Sequence, residues 1–323
     1  MKLNLTSSPH LHAESDLKRV MYDVVIALVP ACAVSVYLFG FYTLAVIATA
    51  SAAALACEAG VLYLRGRRKE IRETVFDGSA LITGILLALN LPPAFPLWMT
   101  AVGSFVAIVI AKHLFGGLGY NLFNPALIAR VFLLISYPVH MTAWVAPRVS
   151  DTVSAATPLG LLKTDGLAKV QGTWSTMDYV MGTTSGSLGE MSALALLLGG
   201  AWLLYRKVIS WEIPASMLGA LALFTGIFWM VDPQKYASPL FHLLTGGALL
   251  GAFFMATDMV TSPVTPKGML IFGAGIGLIT GLIRLFGGFP EGVSFAILIL
   301  NACVPFIDKY TKTRKFGMTG VTA

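Results

Sequence analysis

About ten apolar stretches, separated by short polar segments, dominate this chain and limit what it can fold into. They run Val20–Phe39, Tyr42–Leu64, Val75–Leu91, Leu97–Ala111, Leu122–Tyr137, Met191–Tyr205, Ile213–Val231, Leu240–Thr257, Leu270–Phe286 and Gly292–Ile307. An α-helix rises about 1.5 Å per residue, so roughly twenty apolar residues match a hydrocarbon layer of about 30 Å. Inside that layer every backbone polar group must be satisfied by the protein itself, and a helix does this internally. The charge content agrees. Only 12% of the residues are charged, about half the share with which a soluble domain faces water. The expected fold is an all-α polytopic membrane protein of about ten transmembrane helices. Two stretches are short. Val75–Leu91 stops at Pro92-Pro93, and Leu240–Thr257 runs into a Thr/Pro-rich segment ending near Pro263.

Lysine and arginine resist translocation, so their distribution orients the chain. With the N-terminus placed in the cytoplasm, 16 basic residues fall on inside segments and 4 on outside loops. The inside set includes the cluster Arg65, Arg67, Arg68, Lys69 and Arg72, and also Lys112 and Arg206. The outside set is Arg148, Lys163, Lys169 and Lys235, while Arg130 and Arg284 lie within spans. Both termini are therefore expected in the cytoplasm, with Pro138–Glu190 on the outer face of a cell inner membrane. Met1 to Arg19 is polar and lacks the apolar core and cleavage site of a secretory signal. The net charge of +6 reads as topology rather than nucleic-acid binding, because the basic residues sit between apolar runs. Cys32, Cys57 and Cys303 lie far apart within apolar runs, without metal or redox spacing, and read as packing residues.

A faint internal repeat sets the expected organisation. Leu114-Phe115-Gly116-Gly117 recurs as Leu285-Phe286-Gly287-Gly288, and the two short stretches occupy matching places. A unit of five spans is odd, so two copies would lie inverted in the membrane, as in many transport folds. This gives a five-span repeat at 1–137, an external segment at 138–190, and a second five-span repeat with a basic tail at 191–323. Chance recurrence of Gly-rich span ends is the competing reading. Gly273-Ala274-Gly275-Ile276-Gly277 lies inside an apolar run with no preceding strand, so it fails as a dinucleotide motif. Gly273, Gly277 and Gly281 instead have the four-residue spacing that lets helices approach closely.

Asn90, Arg130, Asp258 and Asn301 are the polar residues that stand out within or beside the spans. Burying them costs several kcal/mol unless they are paired or line a wet path. They are candidates for an ion pathway, against the alternative of interhelical hydrogen bonds or a snorkelling arginine.

The most informative stretch is Asp151-Thr152-Val153-Ser154-Ala155-Ala156-Thr157-Pro158 in the external segment. It is small, polar and rich in hydroxyls, suited to entering a modifying enzyme's active site. D-x-x-S-x-A-T resembles the flavinylation motif D-x-x-[ST]-G-A-T, whose last threonine is esterified to the phosphate of FMN. Ala155 departs from the usual glycine. Ser8-Pro9-His10, Met21-Tyr22-Asp23, Phe123-Asn124-Pro125-Ala126 and Thr257-Asp258-Met259-Val260-Thr261-Ser262-Pro263 are similar to the D subunits of Rnf complexes. The related B subunits of Na+-translocating NADH:quinone reductases share the motif but have a longer N-terminal region. The resemblance implies a membrane protein, part of a larger complex, that passes electrons between ferredoxin and NAD+ and is coupled to Na+ or H+ movement. It implies FMN held through Thr157, with Asp151, Ser154 and Ala156 completing the motif, and leaves open a second, noncovalent flavin. Its implied partners are the other membrane subunits, a second subunit with covalent flavin, and a flavin transferase. Two readings compete: a loop threonine that merely precedes a proline, and a channel or carrier with no redox role.

Overall fold

The structure, a computed structural model, describes residues 17–147 and 155–312. It is helical, with no strands among those residues. Helices α1 (Leu17–Phe39) and α2 (Phe41–Leu64) form a hairpin around Gly40. A short α3 (Ile71–Val75) is broken from α4 (Ser79–Leu89) at Asp77-Gly78, where Gly78 has φ 93°. Then come α5 (Leu97–Phe105, continuing to His113 in π-helical winding), α6 (Pro125–Ser136) and α7 (Pro138–Met141). Three short helices, α8 (Pro158–Thr164), α9 (Leu167–Thr173) and α10 (Thr176–Met181), make up most of the described connecting segment. The second half has α11 (Ala193–Tyr205), α12 (Glu212–Val231), α13 (Pro239–Leu244), α14 (Ala248–Leu250), α15 (Pro266–Phe286) and α16 (Val293–Tyr310). A π-helical turn, Gly251–Met255, extends α14.

Five helices, α1, α2, α12, α15 and α16, are long and apolar enough to cross a bilayer. The other five expected stretches are represented by shorter apolar helices: α4, α5, α6, α11 and the broken pair α13/α14. The physical cause is plainest at α13. Gly246 and Gly247 have φ of 65° and 66°, a left-handed conformation that residues with a side chain adopt only at a cost. Two such residues in succession end one helix and start the next.

Helix starts follow a common chemistry. Asn124, Thr157, Ser238 and Thr265 each cap a helix whose first residue is proline. The cap oxygen satisfies an otherwise unpaired amide, and proline at the first position gives up none. The expected glycine stripe on α15 is a packing surface. A Cβ at Gly273 would strike Ser216, at Gly277 the carbonyl of Met217, and at Gly281 would meet Phe224 Cδ1 at 2.6 Å. The Leu-Phe-Gly-Gly repeat does not carry over to the backbone, since Gly116 and Gly117 have φ of 127° and 104° but Gly287 has −77°.

A buried ribbon at 184–189 joins the two halves. The amides of Leu188 and Gly189 donate to the carbonyls of Leu91 (3.1 Å) and Leu89 (2.6 Å), and Ser35 donates to the Leu188 carbonyl. Separately, Leu159, Val170, Tyr179, Ala237 and Phe241 make a small second core that seats α8–α10 on the start of α13.

Candidate functional site: a threonine segment over a broken helix

Thr157 is where the motif and the fold meet. Its Oγ1 accepts a hydrogen bond from the Gly160 amide at 3.0 Å, capping α8. Two residues earlier, the Ala155 amide donates to the Trp144 carbonyl at 3.0 Å. The sequence places Thr157 on an exposed loop; in the structure it is only 5% exposed, while Ala156 is exposed. The difference arises because Pro158 and Leu159 are buried and draw the cap residue in with them. Asp151 and Ser154 lie outside the described residues. Capping accounts for the Thr-Pro pair, as it does for Asn124-Pro125.

From Thr157 the chain passes onto a break between helices. Leu159 lies against Gly246: a Cβ there would collide with the Leu159 side chain and reach Arg284 Nη2 at 2.6 Å. Arg284, on α15, donates to the carbonyls of His242, Thr245 (2.9 Å) and Gly246 (2.8 Å). The carbonyls left unpaired at the end of α13 thus converge on one guanidinium. Lys163, six residues past Thr157, donates to the carbonyls of Ile283 (3.2 Å), Gly287 (2.6 Å) and Phe289, closing the end of α15. Its ammonium is held below the usual lysine range by burial and by the Arg284 charge. One turn of α8 therefore touches the break and the helix that braces it.

Arg130 belongs to the same region. It pairs with Glu291 and Ser294 and approaches Glu190 to 4.0 Å. Glu190 in turn lies against Gly247. Arg130 Nε, Arg284 Nε and both ring nitrogens of His242 are buried there without a hydrogen-bond partner among the described residues. Such a concentration of unpaired polar atoms is what ordered water ordinarily satisfies. A cavity of about 60 Å³ borders Arg130, Glu291 and Trp144.

The other candidates gather elsewhere. Asn90 ends α4, donating to the Leu86 carbonyl at 2.6 Å and lying 3.9 Å from Met255 Sδ. Asp258 follows the π-helical turn and accepts from Thr261 Oγ1 at 3.1 Å. With its amide oriented to satisfy both ends, Asn301 donates to the carbonyls of Ile297 and Thr261 and accepts from the Asn124 amide. Asn301 and Asp258 thus share Thr261, whereas Arg130 stands apart with Glu190 and Glu291. A cavity of about 110 Å³ reaches Asp258, Asn124, Ser79 and Lys112. Lys112, expected from sequence as a loop cation, is buried against Glu58 at 2.8 Å. It belongs to the packed interior, because α5 continues past Ala111 to His113. Sequence reasoning does not single out Glu58, Glu190, Glu291 or His242. A lone glutamate inside the Tyr42–Leu64 run is the available signal for Glu58; Glu190 and Glu291 sit at span edges, where a charge is ordinary.

A family model described as the NQR2, RnfD, RnfE family matches residues 4–317. The D subunit of the proton-translocating ferredoxin:NAD(+) oxidoreductase complex of Clostridium ljungdahlii is 46% identical, with 97% of this chain and 96% of the relative covered. The D subunit of the Na(+)-translocating ferredoxin:NAD(+) oxidoreductase complex of Acetobacterium woodii is also 46% identical, covering 99% and 97%. The D subunit of the ion-translocating oxidoreductase complex of Escherichia coli (strain K12 / DH10B) is 42% identical, covering 98% and 99%.

Proposed function

The chain belongs to the NQR2, RnfD, RnfE family, and from that premise we propose that it is the D-type membrane component of an ion-translocating ferredoxin:NAD+ oxidoreductase complex. The observation that carries this is end-to-end similarity, at 46% identity, to the D subunits of two such complexes. One of those relatives is named for protons and the other for Na+, at equal identity, so similarity does not choose the ion.

Within that reading, Thr157 carries FMN through a phosphoester. Its side chain fits: esterification replaces the hydroxyl proton and keeps the oxygen that accepts from Gly160. Its burial means that the 155–157 segment is modified while lifted off the protein and docks afterwards. When bound, FMN supplies one-electron transfer; the chain supplies position and electrostatics. Leu159 and Lys163 hold α8 against the α13 break and the end of α15, the direct physical link between the flavin-bearing turn and the membrane helices.

The two-repeat arrangement is part of the proposal. Helices α1, α2, α3/α4, α5 and α6 have counterparts, in the same order, in α11, α12, α13/α14, α15 and α16. In both sets the third element is broken at a left-handed glycine, Gly78 or Gly246. Five-element halves would be inverted, with both termini in the cytoplasm, the 138–190 segment outside, and the rest of the complex around them.

A non-redox carrier on the same fold is the second reading, favoured by the capping role that already explains Thr157-Pro158. In-gel flavin fluorescence after denaturation decides, using cells that co-express a flavin transferase. The expected result is a fluorescent band that Thr157→Val abolishes and Thr157→Ser can retain, with Thr152 and Ser154 variants as controls. A dark band for the unmutated chain supports the carrier.

A further inference from the structure

Helix α11 ends in an uncommon way. Past its cap residue Arg206, the Lys207 amide donates to the Leu204 carbonyl at 3.1 Å and the Val208 amide to the Leu203 carbonyl at 2.9 Å. This pair of bonds puts the residue after the cap in the left-handed region, which is why glycine usually stands there. Here it is Lys207, at φ 55°, the one non-glycine residue with positive φ among the described residues. Helix α2 closes with the same two bonds, from Gly66 to Tyr63 and from Arg67 to Leu62, and it does use glycine, at φ 75°.

The helix terminus does not account for the lysine. A cation near a helix C-terminus is favourable, but Arg206 already supplies one, and α2 has Arg65 and Arg67 on either side of its glycine. An ion pair does not account for it either. Arg206 takes Asp23 at 3.0 Å, whereas Lys207 pairs with no carboxylate among the described residues. Of the other acidic residues nearby, Asp308 accepts from the Val264 amide at 3.2 Å and Glu212 lies in the first turn of α12. A residue held in a costly backbone conformation, with no structural partner, points to a use for its side chain.

That side chain borders a cavity of about 560 Å³ between the end of α11 and the starts of α12 and α15. Leu204, Ile213 and Met269 wall it on the three helices, and Ser210 and Ser262 add hydroxyls. Lys207 is the only charged residue lining it among those described. Trp211 stands exposed at its edge, the kind of side chain that membrane proteins place at headgroup depth. A basic pocket between membrane helices suits a lipid headgroup. The ammonium matches a phosphate, and the apolar walls match an acyl chain. A small free anion would leave those walls uncovered, and a zwitterionic lipid brings its own cation to the phosphate.

We propose that this cavity is a site for one anionic glycerophospholipid, its phosphate held by Lys207 and its acyl chain lying between α11, α12 and α15. In the topology proposed above the α11–α12 connection is cytoplasmic, so the lipid comes from the inner leaflet. The opposite wall is the 257–264 segment, so an occupied site braces the stretch that carries Asp258. Lipid binding does not depend on the redox reading.

The test uses the full chain, delipidated in dodecyl maltoside and titrated with phosphatidylglycerol, phosphatidylcholine or inorganic phosphate. Phosphatidylglycerol should raise the wild-type Tm saturably and slow hydrogen exchange over 257–264, and the other two probes should not. Lys207→Gly removes the ammonium and suits the left-handed backbone, so without lipid it should melt at or above the wild type. Its affinity for phosphatidylglycerol should fall roughly fivefold, while Lys207→Arg should keep it. A lipid-free Lys207→Gly chain that melts lower makes the lysine structural and overturns the proposal. Unchanged phosphatidylglycerol affinity in Lys207→Gly overturns it too, as does an equal wild-type response to phosphatidylcholine or to inorganic phosphate. No response to phosphatidylglycerol in the wild type would leave this face to a partner protein and overturn the lipid assignment.

Discussion

Replacing Arg284 with methionine probes whether one guanidinium holds the α13 break together. The wild-type side chain, 3% exposed, donates to three carbonyls in a region closed to solvent. Hydrogen bonds from a charged donor contribute about 1.5–3 kcal/mol each. Their sum overstates the loss, because the methionine variant no longer has to desolvate a guanidinium. Leaving a buried acceptor without its donor costs about 1–3 kcal/mol, so three carbonyls, less the desolvation regained, point to a destabilisation of about 3–5 kcal/mol. Thermal melting of the detergent-solubilised chain reads it. Hydrogen exchange over 158–164 should accelerate as well, since Leu159 packs on the same break. Arg284→Lys should recover only part of the loss, because an ammonium cannot fork onto three carbonyls. A methionine variant that melts with the wild type, with α8 equally protected, would refute the bracing role.

Gly277→Leu should destabilise by about 1–3 kcal/mol through overpacking against the Met217 carbonyl, measured by thermal melting; an unchanged melt would mean that α12 and α15 have slack there. Asp178 is held below the usual carboxylate range by Thr183 and by the Ser175 amide and hydroxyl. Its stabilising contribution is therefore complete above the ordinary carboxylate pKa and is lost as pH falls through the depressed one. Hydrogen exchange at the start of α10 should rise only in that lower window, and Asp178→Asn should remove the dependence. Asp258→Asn should slow ion-coupled turnover in the assembled complex with the flavin still attached, and unchanged turnover would reduce Asp258 to a turn residue. Impermeant thiol reagents applied from outside should label Asp165→Cys and spare Arg67→Cys; the opposite pattern would reverse the proposed topology.

The apolar runs make the helical membrane architecture legible, because hydropathy over about twenty residues reports directly on lipid burial. Breaks are less legible. Pro92-Pro93 announces the end of α4, but the Gly246-Gly247 break sits inside a run that hydropathy reads as continuous. The glycine stripe on α15 is readable from its four-residue spacing, while the equally tight seat of Gly246 against Leu159 is not. Spacing reports contacts along one helix; it says nothing about a side chain arriving from 87 positions upstream. The same limit applies to charge. Arg130 is visible as a buried cation, but its partner Glu291 lies 161 residues away. Lys112 reads as a loop charge because Glu58, which makes its burial tolerable, is 54 residues distant.

The 184–189 ribbon carries a consequence for how the protein is made. The carbonyls of Leu89 and Leu91 at the end of α4 find their partners on Gly189 and Leu188, about a hundred residues later in the chain. Ser35 on α1 waits longer still, 153 residues, for the carbonyl of Leu188. A ribosome adding roughly 5–20 residues per second leaves the end of α4 incompletely paired for several seconds after α4 has been made. The first half therefore cannot reach its final packing before the connecting segment has been made and has folded back onto it. Biogenesis of the first half is gated by the segment that follows it, and mutations in 184–189 should appear first as incomplete folding of the first half and only then as lost activity.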